Sequence, residues 1–464
     1  MNNIRNNLSC NYILLNDITL TSATLDETEG WMPIGDDTNT FTGIFDGNGH
    51  KISGLWINRP STDSVGLFGY IRDAQIKNLG VEIDSSKGRV KGDQNVGGMA
   101  GYVDFSNITN SYVIGDVSGD YYVGGIVGGV YSSSIANSYT VGNISGGERY
   151  IGGIAGSVSY YSSITDSHSI GDISGNGDVG GIAGIVYYGD IIINSYSTGN
   201  VSGNFFIGGI AGSVSYYSSI TDSHSIGDIS GNGNFVEGSD DYVGGIAGIV
   251  DYGSSITNSY SIGNISGNDD FIGGIAGGVY SSNISNSYSI GNISGGDTFV
   301  GGIAGGIEYG TITNSYSIGN ISGGGGLVGG IAGRVRSSII INNYSVGNIS
   351  DGYDVGGIAG VVELGTVQYN AAINPSINGN YNVNRVVGLN DVGTASDNFA
   401  LDSMLVNGAT VSDDTDNGEG KSLEDLKLQS TYESLGWLFG DDNANPWKID
   451  ANKNNGFPYF YWQE

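Results

Sequence analysis

Twenty-seven consecutive residues, IGGIAGSVSYYSSITDSHSIGDISGNG from Ile151 to Gly177, recur letter for letter from Ile207 to Gly233, and relaxed copies fill the chain from about Val96 to Gly360. Gly-Gly pairs begin at Gly97, Gly124, Gly152, Gly180, Gly208, Gly244, Gly273, Gly301, Gly329 and Gly356, in steps of 27 to 29 residues apart from one step of 36 after Gly208. A fixed period of this size is the mark of a solenoid. The consensus unit, VGGIAG-x-V-x-Y-x-S-x-ITNSYSIGNISG, holds short β-branched runs broken by Gly, Asn and Ser and no helical period. Each unit therefore reads as one coil of strands. The fold expected is all-β, a right-handed parallel β-solenoid of about a dozen rungs with a period near 28 residues, which at ~4.8 Å per rung is roughly 60 Å long.

Composition narrows the partners. The 83 glycines fall at fixed offsets in the unit, which signals backbone geometry and not disorder. With 16 Lys and Arg against 47 Asp and Glu, a net charge of -31 argues against nucleic-acid and anionic-membrane binding. One cysteine, Cys10, leaves no disulfide framework and no cysteine-based zinc site. No apolar run of about 18 residues exists to insert in a membrane. The opening MNNIRNNLSCNYILLNDITL lacks the basic start and long apolar stretch of a secretory signal, so an exported chain would be trimmed, a piece of a longer one, or carried by another route.

Three zones follow. Residues 1–95 form an N-terminal β cap with degenerate first rungs, including Val65-Gly66-Leu67-Phe68-Gly69 and Ile76-Lys77-Asn78-Leu79-Gly80. Residues 96–394 are the solenoid repeats. Residues 395–464 lose the repeat, gain Trp437, Trp447 and Trp462, and place a capping-box spacing at Ser422-Leu423-Glu424-Asp425, which predicts a short helix after it. An aromatic, non-repeating end is expected to cover the last strand edge.

Parallel coils stack like residues in columns. The column Asn110, Asn137, Asp166, Asn194, Asp222, Asn258, Asn286, Asn314 and Asn342 is expected to support tight turns and share hydrogen bonds along the axis.

The Gly66-Leu67-Phe68-Gly69 segment, the VGGIAG units and the NSYSxGNISG tails resemble the GLUG motif, which is found in bacterial surface adhesins and in the non-catalytic region of IgA-cleaving metallopeptidases. Trp31-Met32-Pro33-Ile34-Gly35 with Phe41 to His50 is similar to that family's opening segment. Gly436-Trp437, Trp447-Lys448-Ile449 and Phe457 to Trp462 are similar to its closing segment. The peptidase members carry His-Glu-x-x-His. Here His50, His168 and His224 lack that spacing, so the resemblance does not imply peptidase activity.

In Ser259-Tyr260-Ser261-Ile262-Gly263-Asn264-Ile265, plain alternation buries Tyr260 and Ile262, whereas the family pattern turns the small residues inward. The second arrangement leaves a column of rings outside: Tyr112, Tyr139, Tyr196, Tyr260, Tyr288, Tyr316 and Tyr344, with His168 and His224 substituting. The histidines favour it, since a polar ring is easier to keep in water. These tyrosines are the candidate binding face. Calcium is the cation considered, with candidate ligands at Glu237, Asp240, Asp241, Asp269 and Asp270 on neighbouring loops, and at Asp413 and Asp450 near the end. The Asp166–His168 pair, copied at Asp222 and His224, has acid and base groups. Its duplication speaks for a rung variant over an active site, so no enzyme is expected.

The function expected is therefore a non-enzymatic, extracellular or cell-surface adhesin-like solenoid, binding a glycan or protein partner through an extended repeated face. Two alternatives stand beside it. One is a self-assembling filament subunit that binds copies of itself. The other is an ice-binding protein, which requires Tyr inward and Thr257, Ser259 and Ser261 outward.

Overall fold

The computed structural model describes residues 1–21, 24–233, 241–268, 271–296 and 298–463. The chain is all-β, a parallel β-solenoid with a period near 28 residues. It divides into two compact units. Unit 1 comprises Met1–Asn232 with Ile246–Gly248, and unit 2 comprises Gly233–Gly245 with Ile249–Glu464.

In unit 1 a representative coil runs through five strands: Tyr121–Gly124, Val127–Tyr131 (the glycine strand), Ser134–Ala136 (the isoleucine strand), Tyr139–Val141 (the tyrosine strand) and Ile144–Gly146. Each pairs in parallel with its counterparts one coil before and after. Tyr139, for example, lies opposite Tyr112 on one side and His168 on the other. The centre residue of every isoleucine strand (Ile108, Ile135, Ile164, Ile192, Ile220) is fully buried. Each contributes about 1.5–3 kcal/mol relative to an exposed side chain. The first rungs expected near Leu67 are in register, with Phe68 opposite Ala100 and Ile76 opposite Ile108.

The repeat keeps both glycines and serines because the coil is narrow there. A Cβ on the second glycine of a pair, such as Gly153 or Gly181, would meet the side chain of Ser169 or Ser197 on the tyrosine strand across the core. Small residues on both sides allow that approach, and they turn Tyr139, His168 and Tyr196 outward. At the corners the Asn column adopts left-handed backbone, with φ of 50° at Asn110, Asn137 and Asp166, a conformation Asn and Asp tolerate better than most residues. Amide ladders form along it, as in Asn194 Nδ2 donating to Asp166 Oδ1 at 2.6 Å. The neighbouring serines accept corner N–H groups from the coil below. Ser111 N–H donates to Ser138 Oγ at 3.1 Å, and Ser138 N–H to Ser167 Oγ at 3.2 Å. Buried backbone donors are thus paired where the strands break.

Unit 2 uses the same coil. Ser259, Ser287 and Ser315 stand in its inward corner column, which continues as Asn343, Asn370 and Asn398, each amide oxygen accepting the preceding corner N–H at 2.8–3.0 Å. Ser259 and Ser261 are at most 1% exposed. The outward hydroxyl grid that ice binding requires is therefore not presented, because the narrow core takes those hydroxyls inside.

After Lys421 the chain leaves the stack. Ser422 Oγ accepts the Asp425 N–H and donates to its carboxylate, at 3.1 and 2.8 Å. A 3-10 turn (Asp425–Lys427) and a short helix (Gln429–Glu433) follow, where the capping spacing predicts a helix. Trp447–Lys448 then pairs antiparallel with Tyr459–Phe460. The aromatic residues of this segment lie along the tyrosine strands of unit 2, whereas the sequence suggests a cover over the last strand edge.

Candidate binding faces

In unit 1 the outward rings of the tyrosine strands form one stack: Tyr112 to Tyr139 at 5.1 Å between centroids, Tyr139 to His168 at 5.0 Å, His168 to Tyr196 at 4.7 Å and Tyr196 to His224 at 5.0 Å, with interplanar angles of 12° or less. All five are half-buried. Parallel rings spaced by one rung cover one another's faces and present their edges. Beside them Ile114, Ile170 and Ile226 are 38–41% exposed, which makes an apolar ribbon two columns wide. Burial lowers the pKa of His168 and His224, so the neutral imidazole is favoured.

The same column in unit 2 stacks as tightly, with Tyr260, Tyr288, Tyr316 and Tyr344 spaced by 4.8–4.9 Å. There it is covered. Trp437, Trp447 and Phe457 pack against Tyr344, and Phe460 and Trp462 against Tyr288. Tyr344 Oη donates to Pro458 O at 2.6 Å, and Gln463 Nε2 donates to Tyr316 Oη at 2.7 Å. Tyr288, Tyr316 and Tyr344 are 6, 1 and 0% exposed. As members of an open face these three are corrected to core, since the C-terminal segment buries them. Tyr112, Tyr139 and Tyr196 remain on the surface, and Tyr260 is half-buried beside Trp462.

The glycine strands of unit 1 build a second feature that the repeat does not announce. Their outward middle positions run Tyr70, Tyr102, Gly129, Ser157, Ile185 and Ser213. Tyr122 and Tyr150, 5.1 Å apart, rise on one side, and Tyr131, Tyr160 and Tyr187 on the other. Between them lies a trough of about 580 Å³. Beyond Tyr102 and Asn95 it adjoins a hollow of about 710 Å³ with mixed charge, including Asp36, Asp63, Arg5 and Arg59. Both arginines are engaged there, Arg59 with Glu29 at 2.6 Å and Arg5 over the Trp31 ring. The sequence signal for it is an aromatic just before the Val-Gly-Gly or Ile-Gly-Gly of some units, as at Tyr122 and Tyr150.

The carboxylates are scattered among other tasks. Glu237, Asp240, Asp269 and Asp270 lie outside the described residues. Asp241 is buried. Asp413 is taken by Arg385 at 2.7 Å, and Asp450 accepts the Asn452 N–H at 2.8 Å. Among the described residues no group of three or more His, Cys, Asp or Glu side chains is placed to hold a metal. Asp166 belongs to the corner ladder while His168 belongs to the ring stack, so the pair is divided between two structural roles.

The GLUG motif model matches residues 147–174 and 240–266. The chain carries the GLUG motif in these two places. A candidate Gly-rich membrane protein of Evansella cellulosilytica is 40% identical over 87 residues, covering 18% of this chain and 10% of the relative. Halomucin of Haloquadratum walsbyi is 38% identical over 104 residues, covering 21% of this chain and 1% of the relative. The chain spans a tenth or less of the length of these curated relatives. A crystal structure described as that of a candidate immunoglobulin A1 protease from Bacteroides ovatus aligns with all of this chain and 90% of its own, at 18% identity and a TM-score of 0.23, too slight a likeness to bear on function. Among the described residues no helix is long and apolar enough to cross a membrane, which leaves strand-built membrane barrels unaddressed.

Proposed function

We propose that the protein is a non-enzymatic, surface-associated repeat protein that docks a protein partner, through an aromatic segment of that partner, on the open ring ribbon of unit 1. The observation that carries this reading is the contrast between the two ladders. In unit 2 a polypeptide rich in Trp and Phe lies along the ring edges of the tyrosine column and buries them. Unit 1 presents the same ring edges, with exposed isoleucines beside them, and leaves them half open. Edge-presenting rings suit apolar and aromatic side chains, which prefer edge-to-face and offset contacts. They offer no free ring face on which a sugar could stack. Relatives named as a membrane protein and a halomucin support a place at the cell surface.

The test is an array of immobilised extracellular proteins and glycans probed with the full chain and with the folded variant Tyr139→Ser/Tyr196→Ser. The expected result is a set of protein spots whose signal falls at least about tenfold in the variant. Unchanged protein binding by the variant would overturn the docking reading. Self-association lost in the same variant would make the partner a second copy, as the filament alternative requires.

A further inference from the structure

The glycine-strand trough of unit 1 is a separate place with separate chemistry, and the corresponding strip of unit 2 shows what makes it. In unit 2 the loop aromatics lie down. The Tyr242 ring sits within 2.8 Å of where a Cβ on Gly278 would stand, and the Phe271 ring likewise covers Gly306. Both rings are buried, at 6 and 8% exposure. The floor and the opposite wall there carry charge: Arg334, at the middle position next to Gly306, pairs with Glu363 of the wall at 2.8 Å, and Arg336 with Glu308 of the wall at 3.4 Å. Between Phe271, Gly306 and Arg334 the strip holds a dimple of about 10 Å³.

In unit 1 the corresponding loop aromatics, Tyr122 and Tyr150, meet Ser157 and Ile185 in place of glycine. A floor with side chains leaves those rings half-buried and standing as a wall. The facing wall is tyrosine, with rings tilted to one another (40° between Tyr131 and Tyr160), so parts of their faces are open. Every side chain lining the trough is uncharged, in a chain of net charge -31. Burial holds the Tyr102 phenol up to about 12 and raises that of Tyr150 as well, so both remain hydroxyl donors at neutral pH.

We propose that this trough binds a neutral oligosaccharide, the sugar rings resting on tyrosine faces and the sugar hydroxyls hydrogen-bonded to Ser157, Ser159 and tyrosine hydroxyls. Apolar faces bounded by donors and acceptors, with no charge in the lining itself, match an uncharged pyranose; Arg149, which bonds the Tyr150 hydroxyl and lies over the Phe205 ring, stands outside that lining. Four coils contribute, from Tyr102 to Tyr187, so three rung spacings of ~4.8 Å give a site for roughly three sugar rings.

Calorimetry on the full chain with cellohexaose, maltohexaose and xylohexaose, and with hexagalacturonate as the charged counterpart, tests this. At least one neutral hexasaccharide is expected to bind in the micromolar to millimolar range, and the uronate at least about tenfold more weakly. Tyr150→Ala and Tyr160→Ala are each expected to weaken binding about three- to tenfold. Phe271→Ala, in the closed strip of unit 2, is expected to leave it unchanged. No heat with any neutral hexasaccharide up to about 10 mM would overturn the proposal, as would equal binding of the uronate. Binding that survives Tyr150→Ala/Tyr160→Ala but is lost in Tyr139→Ser/Tyr196→Ser would place the sugar on the ladder and remove it from the trough. The protein-docking reading is judged on the array alone, so either proposal can fail while the other stands.

Discussion

The tyrosine columns of the two units are built alike and end in different environments. Both stack rings at about one rung spacing, and both turn the rings outward because serine and glycine occupy the narrow core. In unit 2 the column is overlaid by Trp437, Trp447, Phe457, Phe460 and Trp462 and becomes part of a second hydrophobic core. In unit 1 it stays at the surface. The same repeat can therefore serve as interior or as surface, and the segment lying over it decides which. A side chain's contribution should follow its cover and not its place in the repeat.

The sharpest way to break that comparison is to truncate one ring in each unit. Tyr344 is fully buried, touches three covering aromatic rings besides its column neighbour Tyr316, and donates to Pro458 O. Tyr344→Ala is expected to cost about 3–5 kcal/mol in unit 2. Tyr139→Ala, at a half-exposed position stacked on both sides by Tyr112 and His168, is expected to cost about 1 kcal/mol or less. Urea unfolding followed by tryptophan fluorescence reports the first directly, since Trp437 and Trp447 lie on that ring. Because stacked repeats unfold in pieces, local hydrogen exchange is the companion measurement. Equal losses at both sites would mean that stacking within the column, and not cover, sets the energy.

This difference also marks how far the sequence is legible. The period, the parallel register, the asparagine corners and the outward turn of Tyr260 all follow from a single repeat, because each depends on neighbours one coil away that carry the same residue type. The cover over Tyr316 and Tyr344 does not. It rests on contacts between residues more than a hundred positions apart, such as Tyr344 with Pro458, and the covering segment has no repeat to read. The trough lies between these cases. Its wall and floor come from adjacent coils, so the exchange of Gly278 for Ser157 at one repeat position separates a closed strip from an open one. That is visible once register is known, but the consensus averages it away.

A second contrast concerns charge in the inward corner columns. Unit 2 keeps Ser254, Ser282 and Ser338 at the corner beside the isoleucine strand. Unit 1 has Asp190 there, fully buried, its carboxylate accepting the Ser162 and Tyr187 N–H groups at 2.6 and 3.1 Å. Burial raises its pKa to about 7, and that of Asp178 to about 7 as well. The folded carboxyl is thus protonated well above the unfolded value near 3.8. The folded state binds the extra proton between these values, so stability is fully present below about pH 4 and is lost as pH rises toward and through 7. Asp190→Ser restores the serine column and removes that loss. It is expected to stabilise unit 1 by about 2 kcal/mol at about pH 8 and to make no such gain near pH 4. Midpoints measured across that range decide it. A gain independent of pH would show that the carboxylate is not the source.

The smallest effect expected separates the two ladders by their histidines. His168 and His224 sit only in the stack of unit 1, and burial lowers both pKa values below the ordinary 6.5. The unfolded rings gain protons as pH falls through about 6.5, while the folded rings resist. Stability from these positions is therefore present above that pH and is lost as pH falls toward the lowered folded values, opposite in sign to the aspartate effect. Both rings remain partly exposed, so solvent screening keeps the loss small. His168→Tyr/His224→Tyr, made in the Asp190→Ser background so that the larger opposing slope is reduced, should flatten the acid side of the stability profile of unit 1 between about pH 7 and 5. It should leave unit 2, whose ladder has no histidine, untouched. The tyrosine replacements keep the stack continuous from Tyr112 onward, so a flattened profile with unchanged stability near pH 8 would assign the acid sensitivity to imidazole protonation. A profile that keeps its slope would assign it elsewhere in the coil and leave the histidines as ring substitutes with no effect on pH response.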